Sequence, residues 1–418
     1  MPPQTVFIIL VAIIAADFIL ESWLELLNIK NLSEKLPDAL EDLYEAEKYT
    51  QSQKYERVNT CFGLLASTFN LLLILGMFFF NGFAWVDSMA AGISTHPVLH
   101  PLIFFGILGL AFDLLNTPFA VYDTFVIEQR FGFNKITPLL FVTDKLKGWL
   151  LSAIIGGGLM ALVVWFYLLT TVYFWLWAWL LMSVFMLFMA FFYSSLIVPL
   201  FNKQKPLDDG DLKDQITLHA AKADFRIDKI YTIDGSKRST KANAYFSGMG
   251  RKKRIVLFDT LIGELSTDEI VAVLMHEIGH YRKKHIFATM LLSFIQTGIM
   301  LFIFSLFVSQ PVLSQALGVA DISFHIGLIT FGILYSPISV VIGLMMNTLS
   351  RKNEYQADRF AALFGMGNAL IRALKKLSVT NLSNLTPHPL YVFFHYSHPT
   401  LLQRIRNLGI LDDKNLIS

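Results

Sequence analysis

The sequence predicts an α-helical polytopic membrane protein, with seven transmembrane helices and a small α/β region on the cytoplasmic side. Three observations carry this expectation. The 418 residues are 54% hydrophobic and only 16% charged, against about 25% charged in soluble domains. The apolar residues gather in stretches long enough to cross a bilayer. Lys and Arg fall only on alternate connections between those stretches. The formal charge of +2 gives no electrostatic footprint for nucleic acid, so no nucleic-acid partner is expected. Cys61 is the single cysteine, which excludes an intramolecular disulfide and a thiolate metal site.

The first apolar stretch, residues 6–20, is interrupted only by Asp17. It lacks a basic leading region and a clear small-residue cleavage site, so it reads as a retained span rather than a signal peptide. Residues 62–80 form a second span. Residues 99–115 form a third, with Asp113 inside it. Residues 148–202 hold no charged side chain. That is more than twice the ~20 residues a bilayer requires, so this stretch folds as a hairpin of spans four and five. Residues 286–308 and 326–346 are spans six and seven.

The basic residues test this count. Connection 28–60 carries five Lys/Arg, 117–147 carries four, 203–285 carries sixteen and the tail from Arg351 carries nine, which accounts for all 34. The other connections, 82–98, the turn near Thr170-Thr171 and 309–323, carry none. By the positive-inside rule the basic segments are cytoplasmic, with the N-terminus outside and the C-terminus inside. A re-entrant hairpin would make five or nine spans without explaining the alternation better. Four units follow: 1–202 with spans one to five and two cytoplasmic loops, the cytoplasmic insertion 203–285, spans six and seven in 286–348, and a cytoplasmic helical region 349–418.

Connection 28–60 is mixed in charge, with Leu40, Leu43, Ala46 and Tyr49 at helical spacing, and reads as a solvated amphipathic connector. In the insertion, residues 230–233 read as a strand followed by the turn Asp234-Gly235. Residues 242–247 and 255–258 read as a hairpin joined through Gly248-Met249-Gly250. Arg251-Lys252-Lys253-Arg254 reads as a solvated turn near anionic lipid. Ser266 and Glu269 then form a capping box that starts a helix. That helix carries His276-Glu277-Ile278-Gly279-His280. His276 and His280 stand one turn apart on one face, where two neutral imidazoles can grip one Zn²⁺. Glu277, about 100° round the helix, is placed as a general base. The preceding strand edge can take an extended peptide as an added strand.

A catalytic zinc keeps three protein ligands and one open position, so two histidines need a third partner. After span seven, Glu354 and Asp358 again share one helix face. Glu354 supplies the missing carboxylate. Asp358, one turn on, can accept a ligand histidine's N–H and fix its tautomer. Further on, Tyr396 and His398 are donors suited to a developing oxyanion, with Arg404 following them.

These residues carry a resemblance. His276-Glu277-x-x-His280 with Glu354-Tyr355-Gln356-Ala357-Asp358, set among seven spans, resembles the integral-membrane type-I CaaX prenyl endopeptidases. Thr124-Phe125-Val126-Ile127-Glu128, Phe131-Gly132-Phe133-Asn134-Lys135, Ser239-Thr240-Lys241-Ala242-Asn243-Ala244-Tyr245-Phe246 and Ser397-His398-Pro399 extend the match over nearly the whole chain. The resemblance implies spans around a chamber, with a zincin-like active site opening into it toward the cytoplasmic side. It implies one Zn²⁺ per chain on His276, His280 and Glu354, Glu277 as base and Asp358 behind the ligands. Asn243 and Ala244 would pair with substrate backbone, and His398 would lie near the substrate carbonyl. A short connection between spans six and seven and a tail without a basic retrieval signal depart from eukaryotic members. They suggest a bacterial member in an inner membrane, or the endoplasmic reticulum membrane if the chain is eukaryotic.

The reaction expected is hydrolysis of a peptide or protein substrate, prenylated if the resemblance extends to the substrate, lying along the Asn243-Ala244-Tyr245 edge. Glu277 would take a proton from water and pass it to the leaving amine, and His398 with Tyr396 would hold the oxyanion. Two other readings stand beside it. One is a membrane quality-control zinc protease with non-prenylated substrates. The other is a non-enzymatic metal-binding transporter. Transport sites usually lie at the bilayer midplane on broken helices, whereas these His and Glu residues lie on cytoplasmic segments.

Overall fold

The structure, a computed structural model, describes residues 1–33, 36, 46–227, 229–247 and 254–415. The connector residues Leu40 and Leu43 and the turn from Gly248 to Lys253 lie outside the described residues. Among the described residues, seven helices are long and apolar enough to cross a membrane: Pro3–Asn31, Glu47–Phe79, Leu99–Glu128, Pro138–Thr170, Phe174–Phe201, His285–Phe307 and Phe324–Leu363. They match the seven apolar stretches in number and order, and the protein is a multi-pass integral membrane protein.

The spans touch in sequence order and close into a ring, each against the next and the seventh against the first. The two acidic residues of the apolar stretches, Asp17 and Asp113, are pairing groups. Asp113 Oδ2 accepts from Lys145 Nζ at 2.6 Å and Trp149 Nε1 at 2.9 Å, joining spans three and four. Asp17 Oδ2 accepts from Ser336 Oγ at 2.8 Å, joining spans one and seven. Such partners remove the cost of a lone carboxylate in hydrocarbon.

The ring is not filled. In five of the seven spans only 6% of the most apolar window is buried, far too little for a packed bundle. Two buried apolar clusters lie together at one end of the ring. One joins Val6, Leu10, Phe78, Phe104 and Ile326; the other joins Val164, Phe174, Phe304 and Phe331. The α/β region sits at the other end. The helices therefore surround a chamber that is capped at both ends.

Two helices outrun the bilayer. Phe324–Leu363 has 40 residues, about 60 Å at 1.5 Å per residue, against a hydrocarbon core of about 30 Å. It passes residue 349 without a break and carries Glu354 and Asp358 beyond the apolar stretch. The second span likewise absorbs the end of the connector, beginning at Ala46. Residues 82–93, read from sequence as part of a connection, form the short helix Gly82–Ile93.

The insertion folds into a four-stranded sheet. Strands β1 (Gln204–Pro206), β2 (Lys229–Ile233), β3 (Ala244–Ser247) and β4 (Arg254–Phe258) stand in the order β1-β2-β4-β3. β2 and β4 run parallel, and β3 pairs antiparallel with β4 in the register Tyr245↔Val256. The expected hairpin is present, and β3 is a sheet edge. Sequence patterning missed β1, whose Gln-Lys-Pro has no β-branched residue to mark it.

Candidate active site

Helix Thr267–Arg282 starts at the capping box the sequence calls for, with Ser266 N donating to Glu269 Oε2 at 2.9 Å. Its apolar face, with Ile270, Val271, Leu274, Met275 and Ile278, is buried against β4 and the extension of span seven. Burial on that face fixes the helix's rotation and sends His276 and His280 toward Glu354.

Gly279 sets how near the two helices come. A Cβ there would stand 3.0 Å from Phe360 Cβ and 3.1 Å from Ala357 Cα. A side chain there requires the facing helix to give by a few tenths of an ångström, which would shift Glu354 relative to the histidines. Gly279→Ala should therefore weaken metal retention. It should also destabilise by about 1–3 kcal/mol through overpacking, outweighing the ~1 kcal/mol gained in helix propensity. Zinc retained against a competing chelator, measured beside the melting temperature, checks both.

The structure brings His276, His280, Glu354, Asp358 and His398 together. His276 Nε2 is 3.2 Å from His280 Nε2 and 3.4 Å from Glu354 Oε2, and His280 Nε2 is 3.2 Å from Glu354 Oε1. A tetrahedral site with bonds of about 2.0–2.1 Å has donor–donor edges of about 3.3 Å, which these spacings match. Glu354 Oε2 is buried without a hydrogen-bond partner.

Tautomers explain why two imidazole nitrogens can face one another. His276 Nδ1 lies 2.9 Å from Asp358 Oδ1, so its N–H donates to that carboxylate and Nε2 keeps a lone pair. His280 Nδ1 lies 3.1 Å from His285 Nδ1, and His285 Nε2 lies 3.1 Å from Gln356 Oε1. Since Gln356 Oε1 can only accept, His285 carries its hydrogen on Nε2. Its Nδ1 then accepts from His280, whose Nε2 is also left as a lone pair. Two lone pairs and an orphaned carboxylate oxygen converge on one buried point, and a divalent cation satisfies all three.

Burial and the adjacent Arg404 guanidinium both oppose a charged His276. The Asp358 and Glu354 carboxylates outweigh them and raise its pKa to about 9. A cation bound there takes the place of that proton.

Sequence reasoning left two supports without a role. Arg404, though present in its last motif, proves to be buried; it grips Asp358 with Nε at 2.9 Å and with Nη2, and its Nη1 is 3.4 Å from Glu354 Oε2. His285 was read only as the end of a basic connection. Its five-residue offset from His280 crosses the break between two helices, so no helical spacing marks it. Removing the His285 ring should loosen the His280 tautomer and weaken zinc binding by about 10–100-fold, and a chelator titration of His285→Ala against the parent checks this.

His398 stands over the same carboxylate, with Nε2 3.2 Å from Glu354 Oε1 and an exposed side chain. Tyr396, His398 and Arg404 line one pocket with Glu56 and Asn384. Burial, then the Glu56 and Glu25 carboxylates, push the Tyr396 phenol up to about 12, so it keeps its proton as a donor. Glu277 is half-buried beside His276.

Asn243, Ala244 and Tyr245 lie on or beside edge strand β3. Asn243 O accepts from Phe258 N at 3.2 Å, and Asn243 Oδ1 accepts from Ala244 N at 2.8 Å. The Tyr245 hydroxyl is 3.2 Å from Ser194 Oγ and within reach of Gln204 Nε2. Its ring is therefore tied to the end of span five and β1.

The connection between spans three and four, chemically silent in the sequence, holds residues 238–241, which lead into this strand. Lys241 Nζ donates to Glu128 at 3.0 Å and to Tyr55 Oη at 2.8 Å, and it lies 4.4 Å from the Phe133 ring centre. Arg238 makes a bidentate pair with Asp144 at 2.9 and 3.0 Å, and Asn134 bridges Ser239. Only the resemblance could have pointed to this contact, because its partners are over a hundred positions apart.

Fold and site together define a membrane-embedded metallopeptidase. A family profile described as CAAX prenyl protease N-terminal, five membrane helices, matches residues 25–203, and one for peptidase family M48 matches residues 206–411. The chain belongs to peptidase family M48, among its membrane-embedded zinc proteases of the CAAX prenyl protease type. It is 36% identical to CAAX prenyl protease 1 of Saccharomyces cerevisiae, over 96% of this chain and 94% of that one. It is 35% identical to CAAX prenyl protease 1 homolog of Arabidopsis thaliana, over 95% and 96%. A crystal structure of S. mikatae Ste24p superposes with a TM-score of 0.91 at 35% identity, covering 98% of this chain and 99% of that one. These three relatives are eukaryotic.

Proposed function

We propose that His276, His280 and Glu354 hold one catalytic Zn²⁺, and that Glu277 is the general base of peptide-bond hydrolysis. One observation carries this reading: two imidazole lone pairs and a buried carboxylate oxygen that receives no hydrogen bond meet at tetrahedral-edge spacing. Zinc, when bound, polarises a peptide carbonyl and lowers the pKa of water. The chain's own groups do the rest. Glu277 accepts a proton from the attacking water and returns it to the leaving amine. His398, with the protonated Tyr396 nearby, donates to the oxyanion. Asp358 and Arg404 hold His276 in the productive tautomer.

The substrate lies extended along β3, which pairs on one side only with β4 among the described residues. Main-chain groups at Asn243 and Ala244 do the recognising, since the Tyr245 phenol is already engaged. The Lys241–Glu128–Tyr55 cluster keeps that edge in register with the metal. All four Lys/Arg-bearing connections lie on the cytoplasmic side, so the active site faces the cytoplasm from within the chamber.

The substrates we assign are proteins with a prenylated C-terminal CaaX sequence, on the strength of the two named relatives and a match spanning the whole ring. The detergent-purified chain should cut a farnesylated CaaX peptide at least tenfold faster than its unprenylated counterpart. Equal rates on both, with efficient cutting of an unfolded membrane protein, would transfer the assignment to quality control.

A further inference from the structure

Far from the active site, three side chains on three elements meet at one point. Asp87 lies on the short helix Gly82–Ile93, His100 near the start of span three and His325 at the start of span seven. Asp87 Oδ1 is 2.6 Å from His325 Nε2 and 3.0 Å from His100 Nε2. The two imidazole centres are 4.8 Å apart, and one donor atom from each of the three residues lies within 4.8 Å of the others. His325 is 3% exposed, and the Phe104 ring lies 4.5 Å from its centre. Around them pack Phe83, Val86, Ala90 and Ile326. His325 precedes Glu354 by 29 positions on one unbroken helix, about 44 Å at 1.5 Å per residue. The two clusters cannot share an ion.

Hydrogen bonding alone leaves the electrostatics of this cluster unbalanced. Two neutral imidazoles can each donate to the Asp87 carboxylate, yet neither cancels its charge. The ion-pair partners of Asp87 among the described residues are these same two histidines. A carboxylate among apolar side chains near the end of the spans is costly without a compensating charge. Both rings present the same atom, Nε2, to the same oxygen. Ser323 Oγ lies 3.2 Å from His325 Nδ1 and 3.1 Å from its Nε2; as acceptor of the Nδ1 hydrogen it leaves the Nε2 lone pair free.

We propose that Asp87, His100 and His325 form a second metal site, for a first-row divalent cation suited to imidazole and carboxylate donors, Zn²⁺ first among them. Opening the two Asp87–imidazole separations, 3.0 and 2.6 Å, by about 0.3 and 0.7 Å reaches the ~3.3 Å edges of a tetrahedral site. The Asp87 side chain is 17% exposed, and water reaching it there would be the fourth ligand. The ion would clamp the short helix and spans three and seven together, closing the chamber at the end opposite the active site. It stands in addition to the single zinc of the proposed mechanism and does not depend on it.

The test is metal content of the full chain in detergent after equilibration with excess Zn²⁺ and removal of free ion. The parent should hold two zinc ions per chain. His100→Gln should hold one and still cut peptide near the parent rate. His280→Ala should keep the other one, and Co²⁺ added to its metal-free form should give the visible absorption of a low-coordinate imidazole-bound ion. One zinc in the parent, unchanged in His100→Gln, overturns the proposal. If His100→Gln fails to fold, the Co²⁺ spectrum of His280→Ala decides alone, because its distal cluster is intact; absence of the band overturns the proposal.

Discussion

Glu277→Gln will bind zinc as the parent does and lose peptide cleavage by about 10²–10⁴-fold, the usual worth of a positioned general base. Glutamine matches the volume of glutamate and sits on the same helix, so the three metal-site residues keep their spacing. Only the capacity to take and return a proton goes. Metal analysis and the single-turnover rate, measured on one preparation, separate the two effects. If zinc content falls together with the rate, Glu277 is holding the ion rather than serving as base. If both stay at the parent value, another group is the base.

Arg404→Ala will be the most destabilising single change outside the apolar core. Arg404 is buried and bidentate on Asp358, which is 0% exposed and also accepts from His276 Nδ1. Deleting the guanidinium leaves that carboxylate buried with a single imidazole partner, at a cost of about 3–5 kcal/mol. The His276 tautomer loosens with it, so zinc should be lost at chelator concentrations the parent survives. Lysine will not restore the site, because a point charge cannot make the two-pronged contact. Pairing Arg404→Met with Asp358→Asn removes both charges, and the double variant should melt above Arg404→Ala. An Arg404→Ala protein with parental melting temperature and zinc content would show that the pair is not what positions His276.

Much of this architecture was legible because the bilayer imposes strong rules on sequence. Seven apolar stretches and alternating Lys/Arg gave the spans, since hydrocarbon tolerates neither open backbone nor scattered charge. The meeting of His276, His280 and Glu354 was legible because helical spacing puts the two histidines on one face and a three-ligand metal site calls for one more donor. What escaped was set by tertiary contact. Arg404 and His285 reach the metal-site histidines from helices whose own spacing says nothing about distance. Lys241 meets Glu128 only after the ring has closed. Gly279 reads as an ordinary helix glycine until the Phe360 and Ala357 atoms opposite it are in view. The hollow ring has no local cue either, because a span facing a chamber and a span facing lipid can carry the same apolar sequence.

The central claim, that a zinc ion on His276, His280 and Glu354 works with Glu277 to hydrolyse peptide bonds, is tested most directly by stripping and restoring the metal. The rate of cleavage of a farnesylated CaaX peptide is followed as chelator empties the protein and zinc refills it. The parent should lose activity with the ion and regain it in step with refilling, while Glu277→Gln refills equally and stays silent. Cleavage at the parental rate by fully stripped protein, or by refilled Glu277→Gln, would contradict the account.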